Sequence, residues 1–292
     1  MLTVRSRPGV TLIELIVGLV VAAVVGTAAM TIQIRNEHLA FALGQITASR
    51  RALREGADVL RYDLRNTAPQ HDAIYSMGDT YVDFRMSTGF SILCGLDSSR
   101  TLLVFPARTS SAPNLTSWIT APEAGDTVMI FAAHATGDST RWYTHSLGSS
   151  PTSGHACSSD FIAAGTGEPA LALRVTTPVS ADAGPGAALR FVRRARYELY
   201  KAGDGAWYLG FRDCLSTRAT SCATVQPVSG PYTSGGLRFL FLDSAGTPTS
   251  DAHRVARIDV MLRAESAARL HLPGIASGMF ADSILFTIRP RR

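Results

Sequence analysis

The side chains able to do acid–base or nucleophilic chemistry are His71 beside Asp72, His134, His145, His155 two residues before Cys157, and His253. An imidazole next to a carboxylate is the working unit of a general base, and an imidazole near a thiol activates a cysteine nucleophile. The spacing here completes neither. The chain has no Gly-x-Ser-x-Gly elbow, His-Glu-x-x-His helix, Gly-x-x-x-x-Gly-Lys-[Ser/Thr] phosphate loop or Gly-x-Gly-x-x-Gly turn. Asp243, Asp251 and Asp259 carry charge suited to calcium, but they lack the dense Asp/Asn-Gly alternation of a calcium loop and read as solvated turn carboxylates. No catalytic residue, metal site or cofactor is expected. Cys94, Cys157, Cys214 and Cys222 form an even set without the Cys-x-x-Cys pairs of a structural zinc site. They are candidates for up to two disulfides, the local pair Cys214 with Cys222 being favoured among the three possible connectivities. A disulfide at Cys157 competes with a His155–Cys157 nucleophile and is preferred in an oxidising compartment.

The acidic residue with the largest energetic consequence is Glu14. An apolar run from Leu15 to Ile34 follows it directly, and twenty helical residues span ~30 Å, about one bilayer core. A carboxylate deep in such a segment costs about 2.5–3.5 kcal/mol on insertion scales, so Glu14 needs a partner. Ahead of it, Met1 to Gly9 is a short polar leader with Arg5 and Arg7, which the positive-inside rule keeps cytoplasmic while the remainder is exported. An ordinary secretory signal is cut after its apolar stretch; here the small residue, Gly9, precedes it, so cleavage retains the membrane helix.

The run Gly9-Val10-Thr11-Leu12-Ile13-Glu14-Leu15-Ile16-Val17 resembles the cleavage and N-methylation signature of type IV prepilins and type II secretion pseudopilins. The resemblance implies that a prepilin peptidase cuts after Gly9 and methylates the new amine of Val10. Glu14 becomes the fifth mature residue and meets the N-terminal amine of an adjacent subunit, which supplies the missing counter-charge. Val10 stands where major pilins have phenylalanine, and Thr31 where many have a helix-kinking proline; both departures point to a minor subunit. The competing reading is a simple signal anchor whose Glu14 snorkels to the interface.

The elements that must position this helix follow. Leu39, Leu43, Ile46, Leu53, Ala57, Leu60 and Leu64 recur at helical spacing and predict an amphipathic continuation over residues 35–66, its stripe covered by the chain's own sheet. Asn66-Thr67-Ala68-Pro69 ends it, giving a helix ~80 Å long at ~1.5 Å per residue. From about Tyr81 the period shifts to two. Strands are expected at Thr101 to Phe105, Thr127 to Ala133, Leu171 to Thr176, Leu189 to Tyr200, Ala206 to Arg212 and Leu237 to Asp243, and around Ile258 to Leu262 and Ile284 to Ile288. Lys201-Ala202-Gly203-Asp204-Gly205 reads as a hairpin turn. Ala107 to Gly125, Ser146 to Pro169 and Ser216 to Gly236 are rich in Ser, Thr, Gly and Pro and read as surface loops.

The expected fold is therefore α+β, a long N-terminal membrane-spanning helix packed by its C-terminal half on a mainly antiparallel β domain. It divides into leader 1–9, transmembrane and assembly helix 10–34, amphipathic helix 35–66 and exported β domain 67–292. A composition that is 46% apolar and 17% charged suits one good-sized core. The net charge is +5, but the arginines scatter and form no long basic stripe, so nucleic acid is not an expected partner. Leu237 to Asp243 with Gly246, Val255 to Val260 and Ile284 to Arg289 resemble the strand pattern of W-type minor pilins and J-type pseudopilins. That resemblance implies a structural minor pilin of a type IV pilus, priming assembly or lying near the tip, or a type II secretion pseudopilin. Its partners would be other pilins or pseudopilins, the prepilin peptidase, the inner-membrane assembly platform and, before assembly, the lipid bilayer. The precursor would sit in the inner membrane with its N-terminus cytoplasmic and its C-terminal domain periplasmic. A membrane-anchored exported enzyme is the alternative of another class.

Overall fold

The computed structural model describes residues 11–67, 73–107, 115–133, 140–157, 169–214, 222, 224–270 and 278–290. Helix α1 covers Leu12–Arg65 without a break, and its 54 residues correspond to ~81 Å at ~1.5 Å each. No proline interrupts it. It ends at Asn66, whose N–H donates to the Tyr62 carbonyl at 3.1 Å, and the Thr67 hydroxyl donates to the Leu64 carbonyl at 3.1 Å, so the last turn closes on its own chain.

The strands are β1 (Ile74–Gly78), β2 (Tyr81–Ile92), β3 (Gly95–Leu96), β4 (Leu102–Pro106), β5 (Ser117–Trp118), β6 (Thr127–Ala133), β7 (Thr140–Ser146), β8 (Thr152–Ala156), β9 (Pro169–Arg174), β10 (Ala188–Lys201), β11 (Trp207–Cys214), β12 (Gln226–Leu242), β13 (Arg257–Glu265) and β14 (Ala281–Ile288). The larger sheet has ten strands in the order β1-β2-β10-β11-β12-β13-β14, with β5 beside β2, β6 beside β10 and β7 beside β6. Every pairing described is antiparallel. The chain is α+β.

The period-two pattern decides which face meets the helix. Ile258, Val260, Leu262 and Ala264 are buried on β13, and Phe286 and Ile288 on β14, against Leu53, Ala57, Leu60 and Leu64 of α1. Full burial of each large aliphatic side chain stabilises by about 1.5–3 kcal/mol, so this seam holds the helix down. The alternate residue Leu285 is 75% exposed. At the hairpin, Lys201 pairs with Trp207 and Gly205 takes φ 84°, which a side chain disfavours. The Asp204 carboxylate accepts the Ala206 N–H at 2.9 Å and the Tyr208 hydroxyl at 2.8 Å, a turn role.

Described residues between β2 and β10, from Leu93 to Ala183, contribute to a second core. Strands β3, β4, β9 and β8 form a separate sheet in that order, and Leu103, Phe105 and Leu173 pack with Val128, Ile130, Leu189 and Phe191 from the larger sheet. Here the predicted loops need correction. Within 146–169 lies β8, whose five residues are all exposed and which joins β9 through its backbone, so it carries no hydrophobic period. Within 107–125 lies β5, two residues long. Residues 226–236, also read as loop, are the first part of β12. Its register against β13 shifts between Tyr232 and Leu237, where Gly235 and Gly236 sit, and a Cβ on Gly236 would stand 2.4 Å from the Arg263 carbonyl. Glycine is there for close approach rather than for a loop.

Candidate assembly helix and the contacts that orient it

Thr11 is the N-cap of α1. Its backbone N–H and its hydroxyl both donate to Glu14 Oε2 at 3.0 Å, while the Glu14 N–H donates back to Thr11 Oγ1 at 3.4 Å. This is a reciprocal capping box, which satisfies donors that a helix start otherwise leaves open and puts a negative group at the positive end of the helix dipole. Thr11-x-x-Glu14 ahead of an apolar run is the sequence signature of this box. Thr11 offers hydrogen bonds but no positive charge. Gly9 and Val10, the expected cleavage and methylation residues, lie outside the described residues.

From Leu12 to Ile34 the large side chains project outward, with Leu12 80%, Leu19 65% and Met30 67% exposed. Thr27 and Thr31 turn their hydroxyls onto the carbonyls of Val24 and Thr27, at 2.9 and 2.8 Å, so neither presents an unpaired donor to an apolar medium. The stretch is long and apolar enough to cross a membrane, and none of it is buried by the rest of the chain. The expected sheet-covered stripe needs correction at its first members. Leu39 and Leu43 are 44% and 54% exposed, while Ala42, Ser49, Ala52, Leu53, Gly56, Ala57, Leu60 and Leu64 form the buried face. Own-sheet packing takes hold only toward the C-terminal half, where small residues let the sheet approach.

Polar contacts fix the helix on the sheet. Tyr232, buried on β12, donates its hydroxyl to the Ala52 carbonyl at 3.0 Å and shares a 2.6 Å bond with Ser229 Oγ. Gly56 makes room, since a Cβ there would lie 2.3 Å from that hydroxyl. One turn from the helix end, the Tyr197 hydroxyl donates to Asp63. Burial pushes the Asp63 carboxyl above its ordinary range, opposed by the Tyr197 bond, and burial also pushes the Tyr197 phenol up. Arg50 meets Asp282 at 3.1 Å, and the Arg61 guanidinium lies 4.5 Å from the Phe286 ring centre.

Among the described residues, the chemistry-bearing side chains named from sequence form no cluster. His71, Asp72 and His134 lie outside the described residues. His145 is buried on β7, its Nδ1 3.0 Å from Thr177 Oγ1, and burial lowers its pKa. His155 is exposed on β8, and Cys157 is bonded to Cys94. Cys214 is bonded to Cys222. The first bridge joins the residue before β3 to the residue after β8, the outer strands of the smaller sheet. Asp243 accepts N–H groups of Ala245 and Thr247 and pairs with Arg254 at 2.9 Å, Asp251 caps the His253 N–H, and Asp259 accepts from Arg257 and Thr287. The Thr247 N–H, first among these bonds, lowers the Asp243 pKa. Among the described residues no three His, Cys, Asp or Glu side chains gather as a metal would need.

Sequence reasoning missed a buried ion cluster. Arg193 clamps Asp126 through two bonds of 2.6 and 2.7 Å and reaches Asp213 at 2.9 Å. The Asp126 bond, set against burial, holds the Arg193 pKa above its ordinary value. Its neighbours Arg194 and Arg196 pair instead with Asp83, at 2.6 and 3.4 Å. Three arginines that look like one basic run are divided by strand alternation between two separate sets of carboxylates, Asp126 with Asp213 on one face and Asp83 on the other.

Together these features define an α+β chain with one uncovered apolar helix, long enough for a bilayer, fixed to a disulfide-linked antiparallel β domain. Comparison with known proteins adds no relative: no protein-family model, no curated protein and no solved structure matches the chain.

Proposed function

We propose that this chain is a structural, pilin-like subunit, a minor pilin of a type IV pilus assembly, that packs through α1 with the helices of other subunits. The observation that carries this reading is the extent of uncovered apolar helix. Large exposed apolar side chains run from Leu12 to Ile34 and, past the polar Arg35-Asn36-Glu37-His38, resume at Leu39, Phe41 and Leu43, so they reach ~48 Å along the helix at ~1.5 Å per residue, whereas a bilayer core accounts for ~30 Å. Lipid covers one part and neighbouring helices would cover the rest. A signal anchor needs only the first part.

Glu14 supports the same reading. Thr11 satisfies its hydrogen bonds at the helix start, but among the described residues no cation pairs with it, and a neighbouring subunit's terminal amine would supply that charge. Before assembly the subunit would sit in the inner membrane with the β domain outside. Processing by the prepilin peptidase would remove the leader and its two arginines, which favour retention at the cytoplasmic face.

The test is Glu14→Ala in cells that assemble the fibre. The variant is expected to appear in the membrane fraction at wild-type level and to be lost from the sheared fibre fraction. Wild-type incorporation of the variant would refute the charge-pairing account.

A further inference from the structure

Among the described residues no strand pairs with the outer edge of β14. It is the last strand of the larger sheet, and its eight residues pair with β13 from Ile288 opposite Ile258 to Ala281 opposite Glu265 without a register shift. The other outer strands are shorter or interrupted. Strands β1 and β8 have five residues each and a register shift, β3 has two, and the last carbonyl of β7, at Ser146, is taken by the Thr176 N–H at 3.0 Å. Natural edges are guarded by charge, proline or a bulge. The solvent face of β14 has none of these: Ala281, Ser283, Leu285 and Thr287 alternate along it, and Leu285 stands 75% exposed beside its cross-strand neighbour Met261. Beyond the β13 ladder, the only backbone group of β14 with a partner among the described residues is the Ser283 N–H, held by Asp282 Oδ1 at 2.8 Å.

A row of open backbone groups is complementary to another extended main chain. Helix α1 selects the charge of that chain. Arg50 meets Asp282 and Arg61 lies over the Phe286 ring, so α1 runs in the same direction as β14 and covers its inner face. At ~100° per residue, Arg50, Arg54, Arg61 and Arg65 fall within ~60° of one another, next to the buried stripe of Leu53, Ala57, Leu60 and Leu64. The opposite flank, at Ala52 and Gly56, lies over β12. Arg54 and Arg65 are therefore carried past β14 to where a further strand would lie, exposed and without an ion-pair partner among the described residues. On the same flank Asp58 is already paired with Arg61 at 3.7 Å.

We propose that the β14 edge takes an added strand from another polypeptide, an extended acidic segment in which apolar residues alternate with Asp or Glu. Its carboxylates face Arg54 and Arg65 on the helix side, and its apolar side chains lie beside Leu285 and Met261 on the other. A second copy of this chain does not fit. Antiparallel pairing of β14 with β14 reverses one α1, so the two apolar stems leave at opposite ends, and it sets two arginine flanks against each other. Peptide binding is measured on the isolated chain and fibre incorporation is scored in cells, so this inference and the assembly reading fail separately.

The test uses the full chain in dodecyl maltoside micelles and three fluorescein-labelled octapeptides: Val and Glu in alternation, Val and Lys in alternation, and Val and Glu in blocks of two. Binding is followed by fluorescence anisotropy and by amide hydrogen exchange. The alternating Val/Glu peptide is expected to bind saturably, about tenfold or more tightly than either control, and to slow exchange within Ala281–Ile288. Arg54→Gln together with Arg65→Gln is expected to weaken it by about tenfold or more, and so is Leu285→Glu, which guards the edge with charge. All three are exposed positions, so the thermal midpoint should hold. No saturable binding, equal binding of either control, unslowed exchange in β14, or unchanged affinity in both variants overturns the proposal. Self-association of the chain that Leu285→Glu abolishes reassigns the edge to a second copy and overturns it too.

Discussion

Replacing Gly56 by alanine brings the helix–sheet seam to a measurable test. The new Cβ would meet the Tyr232 hydroxyl at 2.3 Å, Ser229 Oγ at 2.7 Å and Leu262 Cδ1 at 3.2 Å. Both hydroxyls are buried and bonded, Tyr232 to the Ala52 carbonyl and Ser229 to Tyr232, so neither can swing into solvent. Alanine gains about 1 kcal/mol of helix propensity over glycine. Overpacking costs about 1–3 kcal/mol, and each of the two strained hydrogen bonds is worth about 0.5–1.5 kcal/mol. The net is a destabilisation of about 3 kcal/mol, opposite in sign to the propensity scale. Tyr232→Phe alone removes the hydroxyl and strands Ser229, costing about 1–3 kcal/mol. In the double variant the obstructing oxygen is gone, so the two costs should fall short of their sum by about 1–2 kcal/mol, within the usual coupling range for residues in contact. The assay is urea unfolding of the detergent-solubilised chain followed by near-ultraviolet circular dichroism. Additivity within about 0.5 kcal/mol, or a stabilised Gly56→Ala, would show that Tyr232 does not fill the Gly56 notch.

Arg193→Met should destabilise the β domain by about 3–5 kcal/mol, because it leaves the Asp126 carboxylate buried without its cation, and adding Asp126→Leu should recover much of that loss in the same unfolding assay. Opening the Cys94–Cys157 bridge by Cys94→Ala with Cys157→Ala should lower stability by about 2–4 kcal/mol, since the bridge closes a long loop, with the effect seen by limited proteolysis within residues 93–187. The Asp97 carboxyl is lowered from 3.8 to about 2, chiefly by the Leu102 N–H. Its contribution is therefore present above its unfolded value and is lost as pH falls through about 2, and Asp97→Asn should flatten the acid limb of thermal midpoint against pH in that window.

Much of the frame was legible because it rests on periodicity. One helix, Leu12–Arg65, follows from an apolar run continued by a stripe of helical period and from the stop before Pro69, and β13 and β14 follow from strict alternation around Val260 and Phe286. What escaped has a common cause: pairing through the backbone or across long sequence distances leaves no local period. Strand β8 buries no side chain, and β12 passes through glycines that read as loop. The Arg193–Asp126 pair joins residues 67 apart in the chain, so its charges look like surface. At the helix start, Glu14 was legible as an anomaly, while its Thr11 partner was legible only to a reader weighing capping as well as charge. The exposure of Leu39 and Leu43 could not be read from spacing, because the stripe continues in phase and only the sheet's extent decides where coverage begins.

The most direct test of the assembly account is the intact mass of the N-terminal peptide from the membrane-extracted protein, made in cells with an active prepilin peptidase. The account predicts a chain that begins at Val10 with a methylated amine and retains the apolar helix. A chain beginning at Met1, or one cut after the apolar stretch beyond Ile34, would contradict it.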